Sequence, residues 1–190
     1  MGKEANAVDL DFTGILSIKT LAAALPPLPR KMPEDVVIGA KALQKGGFFV
    51  NITNPGVRRA APPGKAPAKP TVLIVEDDPS TLLLIEHVLV GGGYQARRAS
   101  SGAGFVAAIK VPPVPDLILL DLELPDISGF RILLKLRQHP QTKTLPVVIL
   151  SAHSEPKIVF QGISLGANGY ISKPTKAGIL LEAVKAVLGA

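Results

Sequence analysis

The chain has 190 residues, 47% of them hydrophobic, which is enough for one domain of ordinary size and a further segment. It contains no cysteine, so disulfides, thiol chemistry and cysteine-based metal sites are excluded. No apolar run approaches the roughly 20 residues that cross a bilayer, and Lys19 interrupts the most apolar N-terminal stretch. We therefore expect neither membrane insertion nor a secretory signal, and we expect a cytoplasmic protein.

The net charge of +6 is concentrated before residue 71. Residues 1–70 contain ten Lys and Arg against five Asp and Glu, whereas residues 71–190 contain eleven against ten. An acidic partner is therefore expected at the N-terminal part. Residues 54–70 ("NPGVRRAAPPGKAPAKP") include five prolines and lack apolar periodicity, which is typical of a semi-extended linker. The sequence thus predicts an N-terminal extension over 1–53, a linker over 54–70 and a domain over 71–190.

The extension has element signals of its own. Residues 17–25 and 32–47 are typical of helices, and "FFVNITNPGV" (48–57) indicates a strand and a turn. Two helices, a strand and a turn ending in Arg58 and Arg59 resemble the second half of a winged helix, whose basic wing contacts phosphates. Three hypotheses stay open: a DNA-binding output, a small α/β segment that binds a partner or forms a dimer, and a partly disordered basic segment.

Over 71–190, five strand-length segments alternate with five helix-length segments. The predicted strands cover 71–75, 94–99, 116–122, 145–152 and 169–173. The predicted helices cover 79–93, 101–110, 128–139, 155–166 and 176–188. Runs such as "LILL" and "VVIL" do not alternate, which is typical of strands buried on both faces of a parallel sheet. This order predicts a doubly wound α/β domain.

Polar side chains follow four of the five predicted strands. In chain order, the strands end at Glu76, Asp77 and Asp78, then at Asp121, at Ser151 and at Lys173. Because ligands of doubly wound sheets bind beyond the carboxyl ends of the strands, we expect these groups to meet in one site. Clustered carboxylates repel one another, and a divalent cation relieves the repulsion. A small all-oxygen ligand set suits Mg²⁺, and a carboxylate can attack phosphorus.

These residues resemble the receiver domain of two-component response regulators over essentially all of 71–190. Asp77 lies 44 positions before Asp121, and Ser151 and Lys173 lie 30 and 52 positions after Asp121. The stretches "LRQHPQTKTLPVVILSA" and "GANGYISKP" resemble those that precede the hydroxyl and the lysine in this family. The resemblance implies a flavodoxin-like fold similar to the chemotaxis regulator: a five-stranded parallel sheet in the order 2-1-3-4-5 with five helices.

The resemblance also implies which residues take part in phosphorylation. Asp121 would be the phosphoacceptor. Asp77 would bind Mg²⁺ directly and Glu76 through water, and Asp121 and the backbone carbonyl of Glu123 would complete the protein ligands. Lys173 would pair with a phosphoryl oxygen.

Further residues take switch and lifetime roles by the same resemblance. Ser151 would donate a hydrogen bond to the phosphoryl group. Ser151 and Tyr170 would form the switch, with the Tyr170 ring turning inward when the Ser151 hydroxyl moves toward phosphate. Glu123 and His153 occupy positions that influence how fast the phosphate is lost.

Three acids near these positions have structural interpretations. Asp78 lies beside Pro79, where we expect a first-turn helix acid that the helix dipole favours. Asp116 and Asp126 are expected to be turn or cap residues. No pair among the histidines has the spacing of zinc ligands.

The resemblance implies a signalling protein rather than an enzyme, one that catalyses only its own phosphorylation and dephosphorylation. A sensor histidine kinase or phosphotransfer protein would supply the phosphoryl group, and a downstream protein would bind the switched face. A homodimer along the fourth helix, fifth strand and fifth helix is a further expectation. We expect no output domain after residue 190, and we therefore expect output either by docking or through residues 1–70.

Two other function classes compete with this hypothesis. In the first, the chain is a transcription regulator whose basic N-terminal segment binds DNA, which we do not favour. In the second, it is a phosphate hydrolase with the same nucleophile and magnesium. The short connection after the first strand leaves no room for the cap domain that such hydrolases commonly carry, so we discount it.

Overall fold

The structure is a computed structural model that describes residues 25, 47–50 and 69–189. The predicted helix over 17–25, apart from residue 25, lies outside the described residues. So do the predicted helix over 32–47 apart from residue 47, the turn at Arg58 and Arg59, and nearly all of the predicted linker. The strand predicted after residue 47 is confirmed for its first three residues.

Within the described residues the chain forms six strands and five helices. The strands are β1 (Phe48–Val50), β2 (Thr71–Val75), β3 (Gln95–Ala99), β4 (Leu117–Asp121), β5 (Val147–Ser151) and β6 (Gly169–Ser172). The helices are α1 (Pro79–Gly91), α2 (Gly102–Ile109), α3 (Gly129–Gln138), α4 (Pro156–Ser164) and α5 (Ala177–Leu188). None of these described helices is long and apolar enough to cross a membrane.

The strands form one sheet in the order β1-β6-β5-β4-β2-β3. The five strands from β2 to β6 are parallel, so the predicted doubly wound domain and its strand order 2-1-3-4-5 are confirmed. The sheet has one strand more than the five predicted for it. Strand β1 of the extension adds a sixth, antiparallel to β6, because β6 otherwise ends the sheet with unpaired backbone groups.

The sheet separates two apolar layers. Every residue of β2, β4 and β5 is buried, which explains why these runs do not alternate in polarity. Helices α2, α3 and α4 cover one face, where Phe105, Phe130 and Phe160 are buried. Helices α1 and α5 cover the other face. Placing helices on both faces leaves the carboxyl edge of the sheet open as the place for a site.

Three acids hold the elements that surround this edge. Asp78 is the N-cap of α1 and not a first-turn acid, since its Oδ2 accepts a hydrogen bond from Thr81 N at 2.6 Å. This bond lowers the pKa of Asp78. Asp126 caps α2 from a distant loop by accepting from the N–H groups of Gly102 and Ala103. Asp116 accepts from Thr71 N at 2.8 Å and so fixes the start of β2.

Candidate functional site

The predicted site residues lie at the carboxyl edge of the sheet because four strands end there. Strand β4 ends at Asp121 and β5 at Ser151, in a register that pairs Asp121 with Leu150. Glu76 and Lys173 directly follow the last residues of β2 and β6. The sheet therefore brings together side chains that are up to 97 positions apart in the sequence.

An ammonium group lies between two buried carboxylates at this edge. Lys173 Nζ is 2.6 Å from Glu76 Oε2 and 2.8 Å from Asp121 Oδ2. Glu76 is 1% exposed and Asp121 is 4% exposed, so both acids lie almost entirely out of water. Burial raises the pKa of Glu76 despite the nearby ammonium. Burial alone would lower the pKa of Lys173, but its bonds to Asp121 and Glu76 outweigh this effect, and the pKa is raised.

Three carboxylates form a cluster with the composition of a magnesium site. Glu76, Asp77 and Asp121 each place a carboxylate oxygen within 4.8 Å of the others. Asp77 is exposed, so the cluster opens to solvent on one side. Glu76 Oε2 is buried and lacks a hydrogen bond of regular geometry, although the Lys173 ammonium is close. One ammonium does not balance three carboxylates, and the all-oxygen set fits a hard divalent cation.

The loop after β4 is folded tightly against Asp121. Glu123 N donates to Asp121 Oδ1 at 3.3 Å, and Gly129 N donates to the Leu122 carbonyl at 3.0 Å. A side chain at position 129 would collide with the Asp121 carbonyl oxygen and lie 3.0 Å from Leu122 Cα. Glycine is therefore required where α3 begins, and the close approach holds Asp121 in place.

Ser151 and Tyr170 both bond to the backbone of His153. Ser151 Oγ accepts from His153 N at 3.1 Å, and the Tyr170 hydroxyl donates to the His153 carbonyl at 2.6 Å. Tyr170 is 0% exposed, so its ring points inward beneath the loop that follows β5. Burial raises the pKa of Tyr170 to about 12. The hydroxyl of Tyr170 therefore remains a hydrogen-bond donor across the ordinary pH range.

A matching family model identifies the domain. Residues 72–185 match the family described as the response regulator receiver domain. The chain belongs to this family. Its receiver domain has the acidic cluster typical of the family in Glu76, Asp77 and Asp121.

Individual receivers and regulators are similar over the same region. A response regulator from Chloroflexus aurantiacus is 38% identical with a TM-score of 0.61, covering 65% of this chain and 100% of that one. The chemotaxis protein CheY4 of Vibrio cholerae is 30% identical with a TM-score of 0.59, covering 64% and 100%. The DNA-binding dual master transcriptional regulator RpaA of Synechocystis is 36% identical over 63% of this chain and 49% of that protein. The chain spans about half the length of the regulators it matches.

The receiver site also contains a contact that the sequence did not predict. His153 Nε2 lies 3.2 Å from Glu123 Oε1, so the two positions that the family resemblance associates with phosphate lifetime touch each other. Glu155 Oε2 lies 3.7 Å from His153 Nδ1 on the other side of the ring. The bond to Glu123 is the largest influence on the pKa of His153, which is raised. The sequence signal for Glu155 is its position two residues after His153 at the start of α4, which on its own indicates an ordinary helix-start acid.

Proposed function

We propose that this chain is a phosphoacceptor of a two-component system and that Asp121 receives the phosphoryl group. The observation that carries the proposal is the placement of Asp121, buried at the carboxyl edge between the Lys173 ammonium and the other two acids. A sensor histidine kinase or a phosphotransfer protein is the proposed donor. The proposal includes a cytoplasmic location, where a donor that draws its phosphoryl group from ATP would act.

The proposed reaction is a displacement at phosphorus. A carboxylate oxygen of Asp121 attacks phosphorus, the bond from phosphorus to the donor nitrogen breaks, and an aspartyl phosphate forms. Lys173 would stabilise the negative charge on the phosphoryl oxygens, and the Ser151 hydroxyl would donate a hydrogen bond to one of them. Water later attacks the acyl phosphate, which releases inorganic phosphate and regenerates the carboxylate, with Glu123 and His153 at the mouth of the site influencing the rate. The chain would catalyse no other reaction.

Magnesium is the proposed cofactor. Asp77, Asp121 and the backbone carbonyl of Glu123 would hold it directly, and Glu76 would hold it through water. When bound, the ion supplies positive charge that offsets the carboxylates and the transferring group. The three carboxylates of Glu76, Asp77 and Asp121, whose oxygens lie within 4.8 Å of one another, support this assignment.

The proposed output is a shift between two conformations of the face near β6. Phosphate at Asp121 would favour the state in which Ser151 and Tyr170 are turned inward, and a downstream protein would bind that state. Leu83, Leu84 and Val90 of α1 are 54%, 58% and 56% exposed. Because α1 begins immediately after the acidic cluster, we propose this apolar stripe as the surface for the phosphodonor.

The proposed phosphoacceptor predicts a specific mass change. Incubation with acetyl phosphate and Mg²⁺ is expected to add one phosphate (about 80 Da) to the wild type and none to Asp121→Asn. Asp78→Asn is the matched control, because asparagine is an equally good N-cap and Asp78 is outside the proposed ligand set. Intact-mass spectrometry measures all three. Equal incorporation in Asp121→Asn and the wild type would refute the assignment.

Replacing Glu76 with glutamine is expected to stabilise the metal-free domain and to weaken its stabilisation by Mg²⁺. Because the pKa of Glu76 is raised in the folded protein, its ionised carboxylate destabilises the fold. This destabilisation develops as the pH rises through the raised pKa. At pH 7.5 without metal, Glu76→Gln should therefore melt about 2–4 °C higher than the wild type. Added Mg²⁺ should raise the wild-type Tm and raise the variant's Tm less. Glu182→Gln, an exposed change on α5, is the control, and an equal Mg²⁺ response in Glu76→Gln would contradict the site.

The division into an extension over 1–53, a linker over 54–70 and the receiver remains part of the proposal. Receiver-mediated docking, with a homodimer as one assembly, is favoured over DNA binding. The basic charge of residues 1–70 and the name of the relative RpaA support the alternative of an N-terminal DNA-binding output. In a gel-shift assay at physiological salt, we expect no shift of duplex DNA before or after phosphorylation. A salt-dependent shift that strengthens on phosphorylation would favour the alternative.

A further inference from the structure

Strand β1 pairs with β6 directly beside the proposed switch. In the antiparallel register Phe48 lies opposite Ile171, Phe49 opposite Tyr170 and Val50 opposite Gly169. Position 169 is a glycine at a close approach, since an added Cβ would lie 3.1 Å from the Phe49 carbonyl oxygen. Strand β1 therefore covers the edge of the sheet and meets the backbone of the switch tyrosine.

The two phenylalanines of β1 contact both layers of the core. Phe49 packs against the layer under α2, α3 and α4, which includes Tyr170. Phe48 packs against the layer under α1 and α5, which includes Ile171. Both rings are half-buried. Tyr170 thus has Phe49 as its partner across the strands while its hydroxyl bonds to the His153 carbonyl.

We propose that β1 is an intramolecular clamp on the switch: paired with β6, it holds Tyr170 in the buried inward position. This inference rests on the proposed function, in which phosphate at Asp121 favours the same inward position. Two events that favour one state of a protein strengthen each other, so docking of β1 and phosphorylation of Asp121 should be positively coupled. The clamp also closes the β6 edge to strands of other proteins.

The length of β1 and its tether make the clamp reversible. Strand β1 has three residues, so its pairing with β6 involves few hydrogen bonds. Twenty residues connect Val50 to Thr71, and the entropic cost of closing a connection grows only slowly with its length. The strand can therefore leave and return on the same chain.

An engineered disulfide tests the pairing. The chain has no cysteine, so Phe48→Cys combined with Ile171→Cys would create a unique pair on the same face of opposed strands. Mild oxidation of the full chain should give an intramolecular disulfide in most molecules. Phe49→Cys with Ile171→Cys is the matched control, because a shift of one residue points the side chain to the opposite face, and it should stay reduced. Disulfide-linked dimers alone, or equal oxidation of the control pair, would overturn the intramolecular clamp.

The coupling is tested by the affinity for beryllofluoride, a phosphoryl mimic, in the presence of Mg²⁺. Phe49→Ala should bind beryllofluoride about fivefold more weakly than the wild type, measured by isothermal titration. Val111→Ala is the control, since Val111 is 50% exposed and lies beside β3 at the opposite edge of the sheet, and it should bind as the wild type does.

Two outcomes of the titration are distinguishable. Wild-type affinity in Phe49→Ala would overturn the clamp and leave the proposed function intact. A folded wild type that binds no beryllofluoride would refute the proposed function and the coupling together, and the disulfide would still decide whether β1 pairs with β6. Circular dichroism of each variant establishes that it is folded.

Discussion

Replacing Lys173 with methionine is expected to slow phosphate incorporation from acetyl phosphate by about 10²-fold. The Lys173 ammonium is 2.8 Å from Asp121 Oδ2 and is the nearest described cation to the proposed phosphoacceptor. Methionine keeps much of the side chain's bulk and removes the charge. The rate is measured by intact mass over time at fixed Mg²⁺. Lys176→Met, the same change at an exposed lysine, should keep the wild-type rate.

The same substitution is expected to change the pH dependence of stability. Because the pKa of Lys173 is raised, its stabilising contribution is present below the ordinary lysine pKa and is lost as the pH rises through the raised value. Without Lys173, the buried carboxylates of Glu76 and Asp121 lose their cation, which should cost about 3 kcal/mol at pH 8 without metal.

Urea unfolding at pH 5 and pH 8 measures this effect. Part of the stability that Lys173→Met loses at pH 8 should return at pH 5, because the pKa of Glu76 is raised and protonation of its carboxylate becomes more favourable as the pH falls. If Lys173→Met were as stable as the wild type at both pH values, the ion contacts of Lys173 would contribute nothing to the stability of the fold.

Replacing Gly129 with alanine is expected to destabilise the domain by about 2–3 kcal/mol. The added Cβ would collide with the carbonyl oxygen of Asp121, a backbone atom that cannot turn away as a flexible side chain can. Asp121 would shift with its backbone, so phosphate incorporation should fall at a temperature where the variant remains folded. Gly178→Ala is a control of opposite sign, because nothing lies within 4 Å of its added Cβ on α5. That change should stabilise by about 0.5–1 kcal/mol.

Urea denaturation of the two alanine variants measures both predicted changes in the free energy of unfolding. Equal stability of Gly129→Ala and the wild type would show that the start of α3 moves away from the loop after β4. In that case the close approach would not hold Asp121 in place.

The site was predictable because short apolar runs determine which residue lies at the end of each strand. Strand β4 contains four buried apolar residues before Asp121, and β5 contains four before Ser151. Parallel strands place their carboxyl ends on one edge, so the run lengths alone bring Asp121 and Ser151 to the same place. The predicted meeting of Lys173 with Asp121 follows from the same rule and is confirmed by their ion contact.

Contacts between distant loops were not predictable in this way. Asp126 was predicted as a turn or cap residue, but its capping of α2 from 24 positions away was not predicted, because periodicity describes only neighbours within one element. Arg137 of α3 donates to the carbonyl oxygens of Leu145 and Gly166 and to Asn168 Oδ1, although in sequence it is an ordinary basic residue near a helix end. Burial lowers the pKa of Arg137 to about 10. The position of such a side chain is decided by two loops that the sequence does not place.

The pairing of β1 with β6 is another contact that could not be predicted from the sequence. The residues "FFV" predict a strand, but nothing in them selects an edge of the sheet. The partner strand lies about 120 positions away, and its edge carries no local signal. Strand β1 was therefore predicted as an element and not as part of the receiver sheet.

Locating the phosphoryl group tests the central claim most directly. The wild-type chain is phosphorylated with acetyl phosphate and Mg²⁺, treated with borohydride, which reduces an aspartyl phosphate to homoserine, and digested for peptide mass spectrometry. The account predicts homoserine at position 121 alone, and its absence when phosphorylation is carried out in EDTA. Homoserine at position 77 or 126, or an unmodified Asp121 in a chain that has gained phosphate, would contradict it.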